Sequence, residues 1–546
     1  ERPRAASPFP MSMRLLCLLS ACAVLLLSAC SPRETPVQRG LREQTLIRGI
    51  GHELASLDPH LATQASDYNV LSALFEGLVA EDPQDLHPVP GVAESWDVSA
   101  DGLVYTFHLR ADARWSNGDP LTSDDFVASF RRALSPQLAA ENAPMLYLLR
   151  GAEDFHKGRD ADFSHVGATA LDARTLRLTL AHPAPYFLAQ LNHTIWFPVH
   201  LPTIQRHGSA TDRANPWARP GRIVSNGPFA LLEWKLGQRI VATKSPIYWD
   251  AARVRLHAIH FLPLDVDTEE RAFRAGQMHI TEALPPAKVE TYRNETPSRL
   301  RVDPLLGTYF YRLNLSNPAL QDARVRLALA LALDRGAIVE KILHGGQLPA
   351  PAFTPPGVAG YTPPSGFTHQ PDEARRLLAE AGFPGGAGLP KLELLFNSSE
   401  THRTIAEAVQ EMWRRELGVE VQLTNMDNTS VLAARRTGSF QILRSVWTSD
   451  YVDPQSFLGI WTSDSGNNYT GWSDAAYDDL IRQAGATADN ARRFSLLAQA
   501  EARLLASAPM IPVYHYTHVF AIHPAVRGWS PTLLDHHPYK HVWLEN

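Results

Sequence analysis

Cysteine is scarce in this chain and confined to one end. Cys17, Cys22 and Cys30 are its three cysteines, so everything downstream can form no internal disulfide, no thiolate metal site and no cysteine nucleophile. Long apolar runs are also lacking after residue 30, which leaves no later segment for the ~20-residue helix that crosses a bilayer. Positive charge is not in excess: 51 Lys and Arg face 57 Asp and Glu. That balance argues against a nucleic acid or an anionic membrane surface as partner. Catalytic signatures are sparse as well. His52-Glu53 is followed by Ser56 where a zinc-binding HExxH would need histidine, and no phosphate-binding P-loop pattern occurs. "GWSDA" (471–475) half resembles a nucleophile elbow but lacks a strand–turn–helix setting.

What the N-terminus does hold is a short apolar run. Arg14 precedes Leu15 to Ala29, fifteen mostly apolar residues. This is too short for a membrane span and fits the apolar core of a secretory signal. It closes on Leu27-Ser28-Ala29-Cys30, which looks like a bacterial lipobox with Cys30 as the lipidated residue. Leu19-Ser20-Ala21-Cys22 has the same pattern but stands too near Arg14. "ERPRAASPFP" reads as sequence upstream of a start at Met11 or Met13. Residues 1–29 are therefore expected to be upstream residues and signal peptide. Without them the balance is 48 basic against 56 acidic residues. Residues 30–44, rich in proline and polar side chains, are expected to be a tether.

The 517 residues from Cys30 to Asn546 suffice for two to four domains of roughly 100–200 residues each. Strands and helices alternate without an internal repeat. "LVYTFHLR" puts Leu103, Tyr105, Phe107 and Leu109 on one face, the pattern of a half-buried strand. Asn117-Gly118 signals a tight turn, and Thr122 with Asp125 has capping-box spacing at a helix start. "RTLRLTL" (174–180) reads as another strand. Residues 322–343 read as one long apolar-rich helix with Asp322 as N-cap. Pro371 opens a further helix and Gly382 closes it. Next come strand 392–396, helix 402–417 ending at Gly418, strand 419–423, a short helix near 430–436, and strand 441–447. This βαβαβ pattern implies a parallel sheet with right-handed crossovers. Ligands of open α/β sheets bind beyond the carboxyl ends of the strands. Asp450, three residues past the last strand, falls there, although loop aspartates commonly just cap helices or close turns.

Many segments, in order, carry a family resemblance. They include "LDPH", "HPVPGVAESWDVSADGLVYTFHLRADARWSNGDPLTSDDF", "VSNGPFALLEWKLGQRIV", "IYWD", "FRAGQMHI", "GTYFYRLNLSNPALQDARVRLALALALDR", "FTPPGVAGY" and "WTSDYVDP". Over about residues 45–546 the chain resembles the oligopeptide-binding component of ABC peptide importers, the family-5 extracytoplasmic solute-binding proteins. The resemblance implies an α/β Venus flytrap, two lobes closing on a ligand cleft, with an extra subdomain in lobe one. Lobe one would be 45–303 plus 519–546, its subdomain about 79–197, and lobe two 304–518. The crossings would fall near Asp303–Gly307 and His515–Val519.

The resemblance also assigns roles. Asp450, in Trp-x-x-Asp-Tyr, pairs with the ligand's α-ammonium, an acceptor-only group meeting three donors. Val446 and Thr448 offer backbone groups to the extended peptide, as in strand addition. Arg444 and His402 meet the ligand's carboxylate, and Trp447, Tyr516 and Tyr147 line the cleft. Arg444 and Trp447 face opposite sides of an unbroken strand, so contact by both implies fraying or a bulge near Val446. Some relatives carry a disulfide beside the cleft; Gly307 and Thr448 occupy that region here. Expected partners are the oligopeptide, permease and ATPase subunits, and a membrane reached through the lipid alone. The receptor would be a periplasmic monomer without cofactor or metal. The alternatives are a same-fold receptor for murein peptide, dipeptide, haem or a nickel complex, and a cell-envelope hydrolase. His515, His518, His523, His536, His537 and His541 are expected to be scattered surface histidines, although His537 and His541 have metal-compatible spacing.

Overall fold

The computed structural model describes residues 34–545 except Thr296; the signal segment and Cys30 lie outside the described residues. Among these residues no helix is long and apolar enough to cross a membrane. The helix Pro36–Glu43 corrects the expected tether. Thr35 and Gln38 cap it reciprocally, Pro36 fits its first turn, and Val37 is buried. The proline-rich, polar composition of this stretch masks its capping box.

Three large cores organise the chain. One gathers residues between Leu46 and Ile280 and from Phe520 to Leu544, around a four-stranded sheet in the order 45–49, 258–262, 239–244, 229–235. A second runs from Leu78 to Val224 around another four-stranded sheet. In its strand Val104–Leu109, Tyr105, Phe107 and Leu109 are buried while Thr106 and His108 are half-exposed, as the alternation requires. Gly118 adopts the left-handed φ of 94° at the expected turn, and Thr122 and Asp125 form the capping box of helix Ser123–Ala133.

The third core, Leu306 to Tyr514, surrounds a six-stranded mixed sheet. Its five long strands are β1 (Leu300–Leu313), β2 (Leu392–Asn397), β3 (Val421–Met426), β4 (Ile442–Thr448) and β5 (Met510–Ala521). Helix α1 (Glu400–Leu417) joins β2 to β3, and α2 (Asn428–Thr437) joins β3 to β4. β2 pairs in parallel with both β3 and β4, the expected βαβαβ unit, in the order β5-β1-β4-β2-β3. Gly418 ends α1 in the left-handed region, φ 67°, where glycine alone pays no steric penalty.

β1 and β5 are long enough to leave one core and enter another. Leu300–Pro304 pairs with Ala521–Thr517, and Thr308–Arg312 pairs with His515–Met510. The register is interrupted between Pro304 and Thr308, where proline has no N–H to give the ladder. Helices and strands thus alternate around three cores in an α/β fold.

One expected helix divides. Residues 322–343 form Ala323–Leu331, then Arg335–Ile338 and a π turn over Val339–Leu343. Asp334 accepts from the Ala337 N–H and starts the second piece. The buried Arg335 guanidinium donates to the carbonyls of Ala330, Leu333 and Pro512 and takes over the end of the first. The apolar run alone does not reveal this break.

Candidate functional site

β4 has one closed edge and one open one. Gly307–Leu313 pairs regularly with Thr448–Ile442 along the closed edge. The Ser449 N–H donates to Leu306 O, and the Asn314 N–H donates to Gln441 O. Antiparallel bonding alternates, so odd-numbered residues turn their backbone groups toward β1. The N–H and C=O of Arg444, Val446 and Thr448 therefore point the other way. On that side β2 pairs with Ile442 and Leu443 alone among the described strands, leaving the backbone groups of Val446 and Thr448 free to accept an added strand. Thr448 lies directly opposite Gly307.

Period two then sorts the side chains. Arg444 and Val446 share a face with Tyr311 and Tyr309 opposite them, while Ser445 and Trp447 share the other with Phe310 and Thr308. The ladder carries no bulge at Val446, contrary to the condition set by placing Arg444 and Trp447 together. Contact with both residues does not require one: a strand added at the edge projects alternate side chains onto both faces.

Asp450 stands beyond the end of this edge. It opens onto a cavity of about 370 Å³ lined on one side by Thr448 and Asp450 and on the other by Asn69, Glu282, His518 and His536. Its carboxylate makes no ion pair or hydrogen bond with the described residues. Although solvent reaches it through the cavity, the surrounding walls displace water and raise its pKa, against the Coulombic pull of His536.

Arg444 is a cation without a carboxylate partner among the described residues. It donates to Asn397 Oδ1 (3.2 Å) and Tyr516 Oη (3.0 Å) and lies 4.7 Å over the Tyr309 ring. Burial opposes its charge, but the surrounding oxygens of Tyr516, Tyr309 and Tyr514 outweigh this and raise its pKa. His402, on α1, has its ring 5.6 Å from Tyr309 and its Nδ1 buried without a partner. Burial, then the charge of Arg444, brings its pKa down to about 4, so it is neutral at pH 7. Tyr516 packs edge-on to Tyr514 at 5.0 Å. Trp447 is half-buried, with its indole N–H unpartnered.

Tyr147 lies apart from these residues. Its ring packs near His156 (5.8 Å) and Lys157 (5.9 Å), and Asn142, at the start of the same short helix, lines the cavity instead. The histidines expected to be scattered over the surface are mostly enclosed. His536 stacks on Tyr68 at 3.6 Å and bonds Glu81. His518 bonds Asp535 at 2.7 Å and the Glu282 carbonyl, and His537 bonds the same Asp535. Burial works against the His518 charge, yet Asp535 holds its pKa up at about 9. The contiguous Asp535-His536-His537 marks this cluster in the sequence, but Glu81, which bonds His536, is 455 positions away.

The model of "Bacterial extracellular solute-binding proteins, family 5 Middle" matches residues 87–469, and the chain belongs to this family. It is 36% identical to the periplasmic oligopeptide-binding protein OppA of Escherichia coli, over 89% of this chain and 90% of that one. Against the E. coli periplasmic murein peptide-binding protein MppA, identity is 35%, covering 93% and 94%. Among solved structures, the unliganded open form of the murein tripeptide-binding protein MppA matches with a TM-score of 0.80 at 34% identity, covering 92% of this chain and 97% of that one. Haemophilus influenzae OppA in complex with the peptide RPPGFSPFR matches with a TM-score of 0.75 at 29% identity, covering 92% and 99%.

Proposed function

We propose that this chain is the extracytoplasmic receptor of an ABC peptide importer. It closes two lobes on an oligopeptide and presents it to permease and ATPase subunits. Asp450 binds the peptide's α-ammonium, the free edge at Val446 and Thr448 binds its backbone, and Arg444 with His402 receives its carboxylate. Trp447 and Tyr516 flank the bound chain. The observation that carries this reading is the unpaired Asp450 carboxylate at the end of an open strand edge that also bears an unpaired Arg444. A receptor that grips the amine, the amides and the terminal carboxylate holds what every free peptide has and tolerates varied side chains.

Lobe one comprises 45–303 and 519–546, with a subdomain near 79–197, and lobe two comprises 304–518. The interrupted register between Pro304 and Thr308 supports a crossing there. Cys30 carries the lipid that tethers a periplasmic monomer to the envelope. The relatives named for oligopeptides and for a murein tripeptide define the screen: free peptides of two to eight residues and a murein tripeptide, tested by thermal shift. A ligand that binds the folded state raises the melting temperature through RT ln(1 + [L]/Kd). Failure of every peptide to raise it, with no peptide found by mass spectrometry in the purified protein, refutes the proposal.

A further inference from the structure

The wall that faces Asp450 across the cavity carries an imidazole fixed in both plane and tautomer. The His536 ring stacks on Tyr68 at 3.6 Å, 17° from parallel, and its Nδ1 lies 2.9 Å from Glu81 Oε1. Tyr68 donates its hydroxyl to the other oxygen of the same carboxylate, also at 2.9 Å. Glu81 is buried and accepts from both. An ionised carboxylate only accepts, so a neutral His536 keeps its hydrogen on Nδ1 and leaves Nε2 as an acceptor. Nε2 has no hydrogen-bond partner among the described residues, and His536 lines the cavity together with Asp450.

The other imidazoles of this cavity are used differently. Burial, then the charge of His536, brings the His193 pKa down to about 4, so its ring is neutral at pH 7. His193 accepts the Ile195 N–H at Nδ1, carries its hydrogen on Nε2 and offers a donor there. His518 donates from both nitrogens, to Asp535 and to the Glu282 carbonyl. The carboxylates on this wall are matched by cations, Glu282 by Arg48 and Asp535 by His518. His536 is also the group on this wall whose charge acts on the Asp450 carboxylate.

We propose that His536 Nε2 is a second acceptor for the peptide's α-ammonium, clamping the amine between Asp450 on lobe two and His536 on lobe one. The inference rests on the peptide-receptor reading above. An ammonium has three N–H donors, and a carboxylate on one side leaves a donor for the opposite wall. Because the two acceptors stand on different lobes, the amine itself draws the lobes together. Glu81 and Tyr68 are positioning residues: they hold the ring plane and the Nδ1 hydrogen, while Nε2 touches the ligand.

The test is a calorimetric cycle near pH 7, where the amine of a free peptide is protonated. Its probes are tri-, tetra- and penta-alanine, each free and N,N-dimethylated; dimethylation keeps the positive charge but leaves one N–H. His536→Phe retains a ring to stack on Tyr68 and should weaken the free peptides about tenfold or more, the size of a hydrogen bond to a charged group. The same change should leave the dimethylated peptides unaffected, because their single N–H goes to Asp450. Glu81→Gln is a second variant for the case in which His536→Phe does not fold. Its carbonyl oxygen takes the Tyr68 hydroxyl, its amide faces Nδ1, and the histidine hydrogen moves to Nε2, so the loss should again fall on the free peptides. Equal losses for free and dimethylated peptides overturn the clamp, as does an unchanged affinity for the free ones. A wild-type preference for the free amine that survives in the variant removes this inference and leaves the receptor reading standing. Absence of binding by every peptide removes both.

Discussion

Arg444 and Asp450 flank one open strand edge, six residues apart, and neither meets an opposite charge among the described residues. Six residues of extended chain span at most ~20 Å, a distance that a short zwitterionic peptide can bridge. In the empty protein the Asp450 charge works against folding. Its folded-state pKa is raised because the cleft walls displace water around it, so above that value the folded chain holds a charge that the unfolded chain hydrates better. Asp450→Asn should therefore raise the unfolding midpoint of the peptide-free protein at neutral pH while weakening its affinity. A denaturant titration showing a lower midpoint contradicts the assigned environment.

The same raised pKa gives ligand binding an acid limit. An ammonium needs the ionised carboxylate, so affinity should fall as pH drops through the Asp450 pKa, by up to tenfold per unit. Binding by Asp450→Asn should be flat over that window. Calorimetry over a pH series descending from pH 7 distinguishes the two, and an equal slope in both proteins would assign the proton to another group.

The orientation of the β4 backbone groups makes a proline scan informative. The Val446 N–H faces the open edge, so Val446→Pro spares the bonds to β1, whereas Ser445→Pro removes one of them. Val446→Pro is expected to remain folded by circular dichroism and to lose ~1–3 kcal/mol of peptide affinity. Ser445→Pro is expected to lower the melting temperature sharply. Unaltered affinity in Val446→Pro means that peptides do not add to this edge.

His518 and Asp535 make an alkaline prediction. The folded His518 pKa is about 9 against an ordinary 6.5. A group raised in this way contributes fully below the unfolded pKa and loses its contribution as pH rises through the folded one. The protein should thus lose roughly 3 kcal/mol between pH 6.5 and 9, and His518→Gln should flatten that part of the profile. A wild-type unfolding free energy that does not fall across this window contradicts the charged pair.

The elements most legible in the sequence were those fixed by local chemistry. The alternation at Tyr105–Phe107–Leu109, the Thr122–Asp125 capping box and the βαβαβ run all depend on residues close in the chain. The break at Ala332–Asp334 was not legible, because Arg335 makes it by reaching Pro512, 177 positions away. The cavity wall opposite Asp450 was hidden for the same reason. Glu282, His518 and His536 come together through contacts that span 236 and 455 positions. Even the relation of Arg444 to Trp447, correctly placed on opposite faces by period two, depended on knowing that the neighbouring edge is vacant.

Asp450 is best tested by a double comparison. Isothermal calorimetry would measure one free peptide and its N-acetylated form against the wild type and Asp450→Ala. The account predicts that acetylation and the substitution each cost the complex ~2–5 kcal/mol, and that acetylation costs Asp450→Ala little more. An acetylation penalty of equal size in both proteins would contradict it, because the amine would then be bound by something other than this carboxylate.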